Sequence, residues 1–166
     1  MNDYFTGHCR YSENLNLVLN RHDIVPILIM RNPYDVLFSQ ARYFPKWKDI
    51  FHSKYLISDD VKFNIKILSS DEAASRKIDH DMFRQYDAYI PWLQNYRKNI
   101  FRFEDLVGSK GGGSISRQKQ EFIRLLDLLE IEFPTNQIQK TIDRIFGVSN
   151  TFDQGQVGFG KKFITN

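Results

Sequence analysis

Seven consecutive residues, Ile24-Val25-Pro26-Ile27-Leu28-Ile29-Met30, are apolar on both alternating faces and rich in β-branched side chains. Such a run predicts a central strand covered on both sides, as in a parallel sheet. It is followed at once by Arg31-Asn32-Pro33-Tyr34-Asp35. Asn-Pro marks a turn out of the helical region, and Asp35 is expected to cap a helix over Val36 to Tyr43. A strand, a tight turn and a helix in that order commit the chain to an α/β architecture.

The rest of the chain is read around that unit. Asn14 to Asn20, with Leu15, Leu17, Val18 and Leu19, predicts a helix leading into the strand. From Phe44 to Ala74 no clear period survives, which predicts loops with one or two short helices. Met82, Tyr86, Ile90 and Leu93 recur at helical spacing and predict an amphipathic helix of about 17 residues. Asn99-Ile100-Phe101-Arg102-Phe103 is a second strand candidate, and Gly108 to Ser116 is expected as a flexible Gly/Ser loop. It lacks the entering strand and the glycine and lysine spacing of a phosphate-binding loop. Ser116 is expected to cap a helix over Arg117 to Glu130, with Pro134 closing the link to another over Asn136 to Phe146. The tail from Ser149 is punctuated by glycine, and no internal repeat is present.

With 42% hydrophobic and 26% charged residues in 166, the composition belongs to one folded domain rather than to a disordered or coiled-coil chain. A net charge of +3 names no nucleic-acid partner. The apolar run at 24–30 is far shorter than a membrane span, and residues 1–10 lack a signal-peptide pattern. A single cysteine, Cys9, excludes an internal disulfide, so a cytoplasmic location is expected. The histidines, His8, His22, His52 and His80, fall with Cys9 at no metal-ligand spacing, and no metal is expected.

Candidate chemistry collects at the carboxyl edge of the predicted strand, where helices begin and open α/β folds bind anionic ligands. Arg31 stands at that edge, and Ser39 lies about two turns into the following helix. Taken alone, an arginine after a strand is often a structural partner. The tail Thr151-Phe152-Asp153-Gln154-Gly155-Gln156-Val157-Gly158-Phe159-Gly160-Lys161-Lys162 combines glycines with lysines. It reads either as a mobile terminus or as a loop laying backbone N–H groups on an anion. His8 precedes the strand, and an imidazole suits proton removal from a hydroxyl.

Together, Gly7-His8-Cys9-Arg10-Tyr11-Ser12, the segment Ile27 to Val36 with Ser39, Phe103-Glu104-Asp105-Leu106, and Thr151-Phe152 through Gly155 and Gly158 resemble the cytosolic-type sulfotransferase domain, in that order. The resemblance runs from about His8 to Thr165 and is most specific at the strand-Arg-Asn-Pro-x-Asp-Val segment. It implies a three-layer parallel sheet flanked by helices, similar to nucleotide kinases. It also implies transfer of sulfuryl from 3′-phosphoadenosine 5′-phosphosulfate to a hydroxyl or amine of a small-molecule or carbohydrate acceptor, without a metal. Arg31 and Ser39 match the pair on the donor's 3′-phosphate, and Phe103 stands where the family has a tyrosine beside the adenine. His8 matches the general base, and Gly155 and Lys161 fall in the donor-binding tail.

Two departures qualify the resemblance. Asp153-Gln154-Gly155 replaces the family's Arg-Lys-Gly, with Lys161 and Lys162 as the expected compensation, and Gly160 replaces an aromatic residue. The family's opening strand and its Lys-Ser-Gly-Thr-Thr-like loop do not precede His8, so the chain is expected to be truncated at its N-terminus and its own activity is open. The alternative is a noncatalytic module that holds an adenosine bisphosphate or a protein partner. A nucleotide kinase would need a phosphate loop and acidic metal ligands in context, which the sequence lacks.

Overall fold

Two short strands, β1 (Leu28–Met30) and β2 (Ile100–Arg102), pair in parallel, with Leu28 opposite Ile100, Ile29 opposite Phe101 and Met30 opposite Arg102. The computed structural model from which this is drawn describes residues 9–43, 60–69, 87–146 and 157–164. Within those residues the protein is a mixed α/β chain, mostly helical, with this two-stranded sheet.

The helices are α1 (Glu13–Arg21), α2 (Pro33–Tyr43), α3 (Val61–Ser69), α4 (Ile90–Asn95), α5 (Phe103–Leu106), α6 (Ile115–Leu128), α7 (Thr135–Ile142) and α8 (Phe159–Ile164). Short 3-10 turns span Arg97–Asn99 and Ser109–Gly111. Side-chain oxygens start two of the helices. Ser12 Oγ accepts from Leu15 N–H at 3.2 Å ahead of α1, and Ser114, not Ser116, accepts from Arg117 N–H ahead of α6.

The principal core joins α2 to α3 through Leu37, Phe38, Ala41, Ile65 and Leu68, with Val36, Tyr43, Val61 and Phe159 packed around it. Asn64, buried among these residues, donates Nδ2–H to the Ala41 carbonyl at 3.0 Å and so satisfies a late carbonyl of α2. Elsewhere, α6 packs on α5 and α7. Gln118, also buried, bridges them by donating to the Leu106 carbonyl at 2.8 Å and the Ile142 carbonyl at 3.4 Å.

Several elements differ from what the sequence predicts. β1 covers three residues rather than seven and is not shielded on both sides, since Val25, Ile27 and Ile29 are exposed, Ile29 by 65%. A run of aliphatic residues reports strand propensity but not which faces other elements cover. The continuous helix of about 17 residues expected from Met82 is not seen over its described part: a turn at 88–89 precedes the six-residue α4, with Trp92 buried in it, and residues 82–86 lie outside the described ones. The segment expected as a loop at 108–116 carries a 3-10 turn closed by Gly111 N–H to Gly108 O (3.2 Å) and Gly113 N–H to Gly108 O (2.7 Å), before α6 begins. Among the described residues no helix is long and apolar enough to cross a membrane, and no group of His, Cys, Asp and Glu has the spacing of a metal site.

Candidate functional site at the strand ends

Because β1 and β2 are parallel and in register, both release their chains at the same edge. Arg31 and Phe103 are the first residues past that edge, and the Arg31 guanidinium carbon lies 4.5 Å from the centre of the Phe103 ring. This is a cation–π contact between the two candidate donor-binding residues. Both are half-buried, and Arg31 Nε is fully covered.

One residue further on, the two chains meet again, where Glu104 Oε1 accepts the Asn32 backbone N–H at 2.6 Å. The other Glu104 oxygen lies 3.6 Å from Arg102 Nε, whose side chain is 67% exposed. That ion pair is weakly held in water, whereas the bond to Asn32 is short and charge-assisted, and the Glu104 side chain that accepts it is only 12% exposed. Glu104 therefore fixes the exit of β1 against the exit of β2.

The start of α2 departs from expectation. Asn32, not Asp35, performs the local capping, since its Oδ1 accepts from Tyr34 N–H at 2.9 Å while its carbonyl accepts from Val36 N–H at 3.0 Å. Pro33 fills the first helical position, where a missing N–H costs nothing. Asp35 is free for another task. Only 2% exposed, its carboxylate accepts Gly158 N–H at 2.8 Å and Gly160 N–H at 2.7 Å, seating the end of the chain on α2.

Three further contacts complete that seat. Val157 N–H donates to Gly111 O at 2.9 Å, and the Phe159 ring centre is 6.1 Å from that of Phe38 in the core. Gly160 rests on the Tyr34–Asp35 peptide so closely that a β-carbon there would collide with the Tyr34 carbonyl. No side chain larger than glycine's fits at position 160 without a shift of that peptide. Of the tail that reads as either a mobile terminus or an anion-holding loop, the amides of Gly158 and Gly160 are held by a carboxylate of the chain itself.

The predicted site residues thus separate into groups. Arg31 and Phe103 are in contact, while Ser39 is half-buried on α2 one turn beyond Asp35 and Lys161 is exposed on α8, immediately after Gly160. His8, Gly155 and Asp153 lie outside the described residues. Glu104, Asp35 and Arg124 carry weight that the sequence reading did not assign. Arg124, on α6, donates to the carbonyls of Lys98 and Ile100 at 2.6 Å each, pairs with Glu121 at 2.6 Å, and covers the Phe101 ring at 3.8 Å. It thereby fixes the entry of β2.

A second cluster lies around Trp92. Its indole donates to the Cys9 carbonyl at 3.1 Å and meets the Tyr11 ring edge-on, with centres 5.2 Å apart. Tyr96 donates its hydroxyl to Asn16 Oδ1 at 2.5 Å. These contacts hold residues 9–16, which directly follow His8, against α4. Cys9 itself is an exposed free thiol. No protein-family model, no curated protein and no solved structure matches the chain.

Proposed function

We propose that the chain is a sulfotransferase-type domain that binds 3′-phosphoadenosine 5′-phosphosulfate at the shared edge of β1 and β2. The observation that carries this reading is the meeting of Arg31 with Phe103 just past two adjacent parallel strands. The resemblance assigns both residues to the donor, Arg31 to its 3′-phosphate and Phe103 to its adenine, and the two lie far apart in the sequence. The finer architecture, a three-layer sheet of the nucleotide-kinase kind, belongs to the same proposal.

In this reading Arg31 and Ser39 hold the donor's 3′-phosphate, since a guanidinium presents several donors to an oxyanion and a hydroxyl adds one more. Phe103 offers a ring to the adenine, and Gly155 and Lys161 complete the donor side from the tail. His8 removes the proton from the acceptor hydroxyl or amine as its oxygen or nitrogen attacks sulfur in line. The bond from sulfur to the bridging phosphate oxygen breaks, and adenosine 3′,5′-bisphosphate departs.

A second reading, a module that holds a nucleotide or a protein partner without transfer chemistry, is favoured by where the site's amides point. Asn32 N–H is taken by Glu104, and those of Gly158 and Gly160 by Asp35. Titration calorimetry with adenosine 3′,5′-bisphosphate tests the site itself. The wild type should bind, and Arg31→Ala should lose at least about tenfold in affinity, the scale of one charged hydrogen bond. Equal binding by the two refutes the assignment. Labelled-sulfate transfer to mixed acceptors, abolished by His8→Ala, separates the enzyme from the binding module.

A further inference from the structure

We infer that Asp35 is a positioning residue that latches the end of the chain onto α2 and thereby sets Lys161 beside the 3′-phosphate site. The inference rests on the nucleotide reading above. A carboxylate buried to 2% exposure needs compensation, and here two backbone N–H groups more than a hundred residues away in sequence supply it. Those amides belong to Gly158 and Gly160, and Lys161 follows directly.

The seat leaves little slack. Gly160 lies against the Tyr34–Asp35 peptide, three residues from Arg31, and Phe159 is packed on Phe38. The backbone of 158–160 is therefore fixed from three directions, by a carboxylate, by a steric fit and by an aromatic contact. Lys161 inherits that placement and stays exposed at the surface. A lysine is a compact point charge on a long flexible stem, so its reach to an anion is set by where its backbone is held. Without Asp35 the amides of 158 and 160 lose their acceptor, and the lysine loses its fixed origin.

Asp35→Asn keeps the side-chain shape but turns one acceptor oxygen into a donor that faces a backbone N–H. Gly160→Ala leaves Asp35 intact and unseats the segment sterically, so the two variants test the latch by independent routes. Two measurements on the full chain decide the matter. Amide exchange should accelerate at 158–160 in both variants while α6 and α7 keep their protection. Affinity for adenosine 3′,5′-bisphosphate should fall about tenfold, the scale of one charge-assisted contact. Affinity for adenosine 5′-monophosphate, which lacks the 3′-phosphate, should stay unchanged.

Lys161→Ala should reproduce that selective loss, and adding Asp35→Asn to it should cost nothing further, because both act through one contact. Unchanged exchange in both variants overturns the latch. An equal loss for both nucleotides, or additive losses with Lys161→Ala, overturns the coupling to the 3′-phosphate. A wild type that binds neither nucleotide overturns the functional reading and the role of Lys161 with it, while the exchange rates still judge the latch.

Discussion

Replacing Arg124 with Met probes how the strand ends are held, because it keeps an apolar stem over Phe101 and removes every charged contact. The guanidinium donates to the Lys98 and Ile100 carbonyls at 2.6 Å each, and its side chain is 37% exposed. Fully buried, each such bond would contribute about 1.5–3 kcal/mol, and partial exposure reduces this to about 1 kcal/mol apiece. The cation–π contact with Phe101, which is 1% exposed, adds about 0.5–1 kcal/mol. The pair with Glu121, one turn away on the same helix, adds about 0.3–0.5 kcal/mol. The thioether of Met returns part of the ring contact, so the net loss should be about 2–3 kcal/mol. In a chain of this length that lowers the melting temperature by about 5–10 °C. Urea unfolding followed by circular dichroism measures it, and an unchanged slope would show that the unfolded state is unaltered. Glu121→Gln alone should cost under about 0.5 kcal/mol. If Arg124→Met costs no more than Glu121→Gln, the carbonyl clamp contributes nothing and the account of β2 fails.

Phe103→Leu should lower the affinity for adenosine 3′,5′-bisphosphate about two- to five-fold by removing the ring under Arg31, read by calorimetry. Gly108→Ala should destabilise by at least about 1–3 kcal/mol, measured by urea unfolding, because φ is +61° and ψ is −165° there. The added carbon would also strike the Gln118 side chain. Trp92→Phe should keep the rings of Tyr11 and Tyr96 packed yet cost about 1–2 kcal/mol by leaving the Cys9 carbonyl without its donor, and should speed exchange of the Tyr11 amide. Tyr11 ionises above the ordinary tyrosine value, first because it is desolvated and then because the Glu13 carboxylate it donates to is negative. Its contribution to stability is therefore complete below the unfolded tyrosine pKa of about 10 and fades as pH rises through the higher folded value. Tyr11→Phe should remove that alkaline fall in the urea midpoint.

What the sequence makes legible is local. The Asn32-Pro33 turn, the helix behind it and the second strand around Phe101 follow from residue types whose preferences act within a few positions. Asp35 is a good capping residue by type, but Asn32 stands at the cap, directly ahead of the proline at the first helical position, and that placement is a signal the sequence does carry. Ser114 and Ser116 present the same choice at α6, and only the backbone decides between them. The exposure of Ile27 and Ile29 is illegible because an aliphatic run reports propensity, not what covers it. The partners of Asp35 and Arg124 are illegible for a different reason. Their acceptors and donors are backbone groups, which every residue carries, so no residue type marks them in advance.

Two three-residue strands form too small a ladder to fix the candidate edge alone. The edge is instead held by charged side chains gripping main chain at its corners: Arg124 on the carbonyls entering β2, Glu104 on the amide leaving β1, and Asp35 on the amides of the closing segment. Removing one partner of such a bond leaves a shielded charge or amide unsatisfied, which costs more than the bond contributes when formed. Neutral, nearly isosteric substitutions at these three positions should therefore disturb ligand selectivity and amide protection more than larger changes on exposed faces of α6 or α7. Salt should separate the corners. The Arg102–Glu104 pair, open to water through Arg102, weakens with ionic strength, whereas Asp35, at 2% exposure, holds its two amides regardless. A seat for residues 158–160 that loosened in step with added salt would contradict the burial on which the whole arrangement depends.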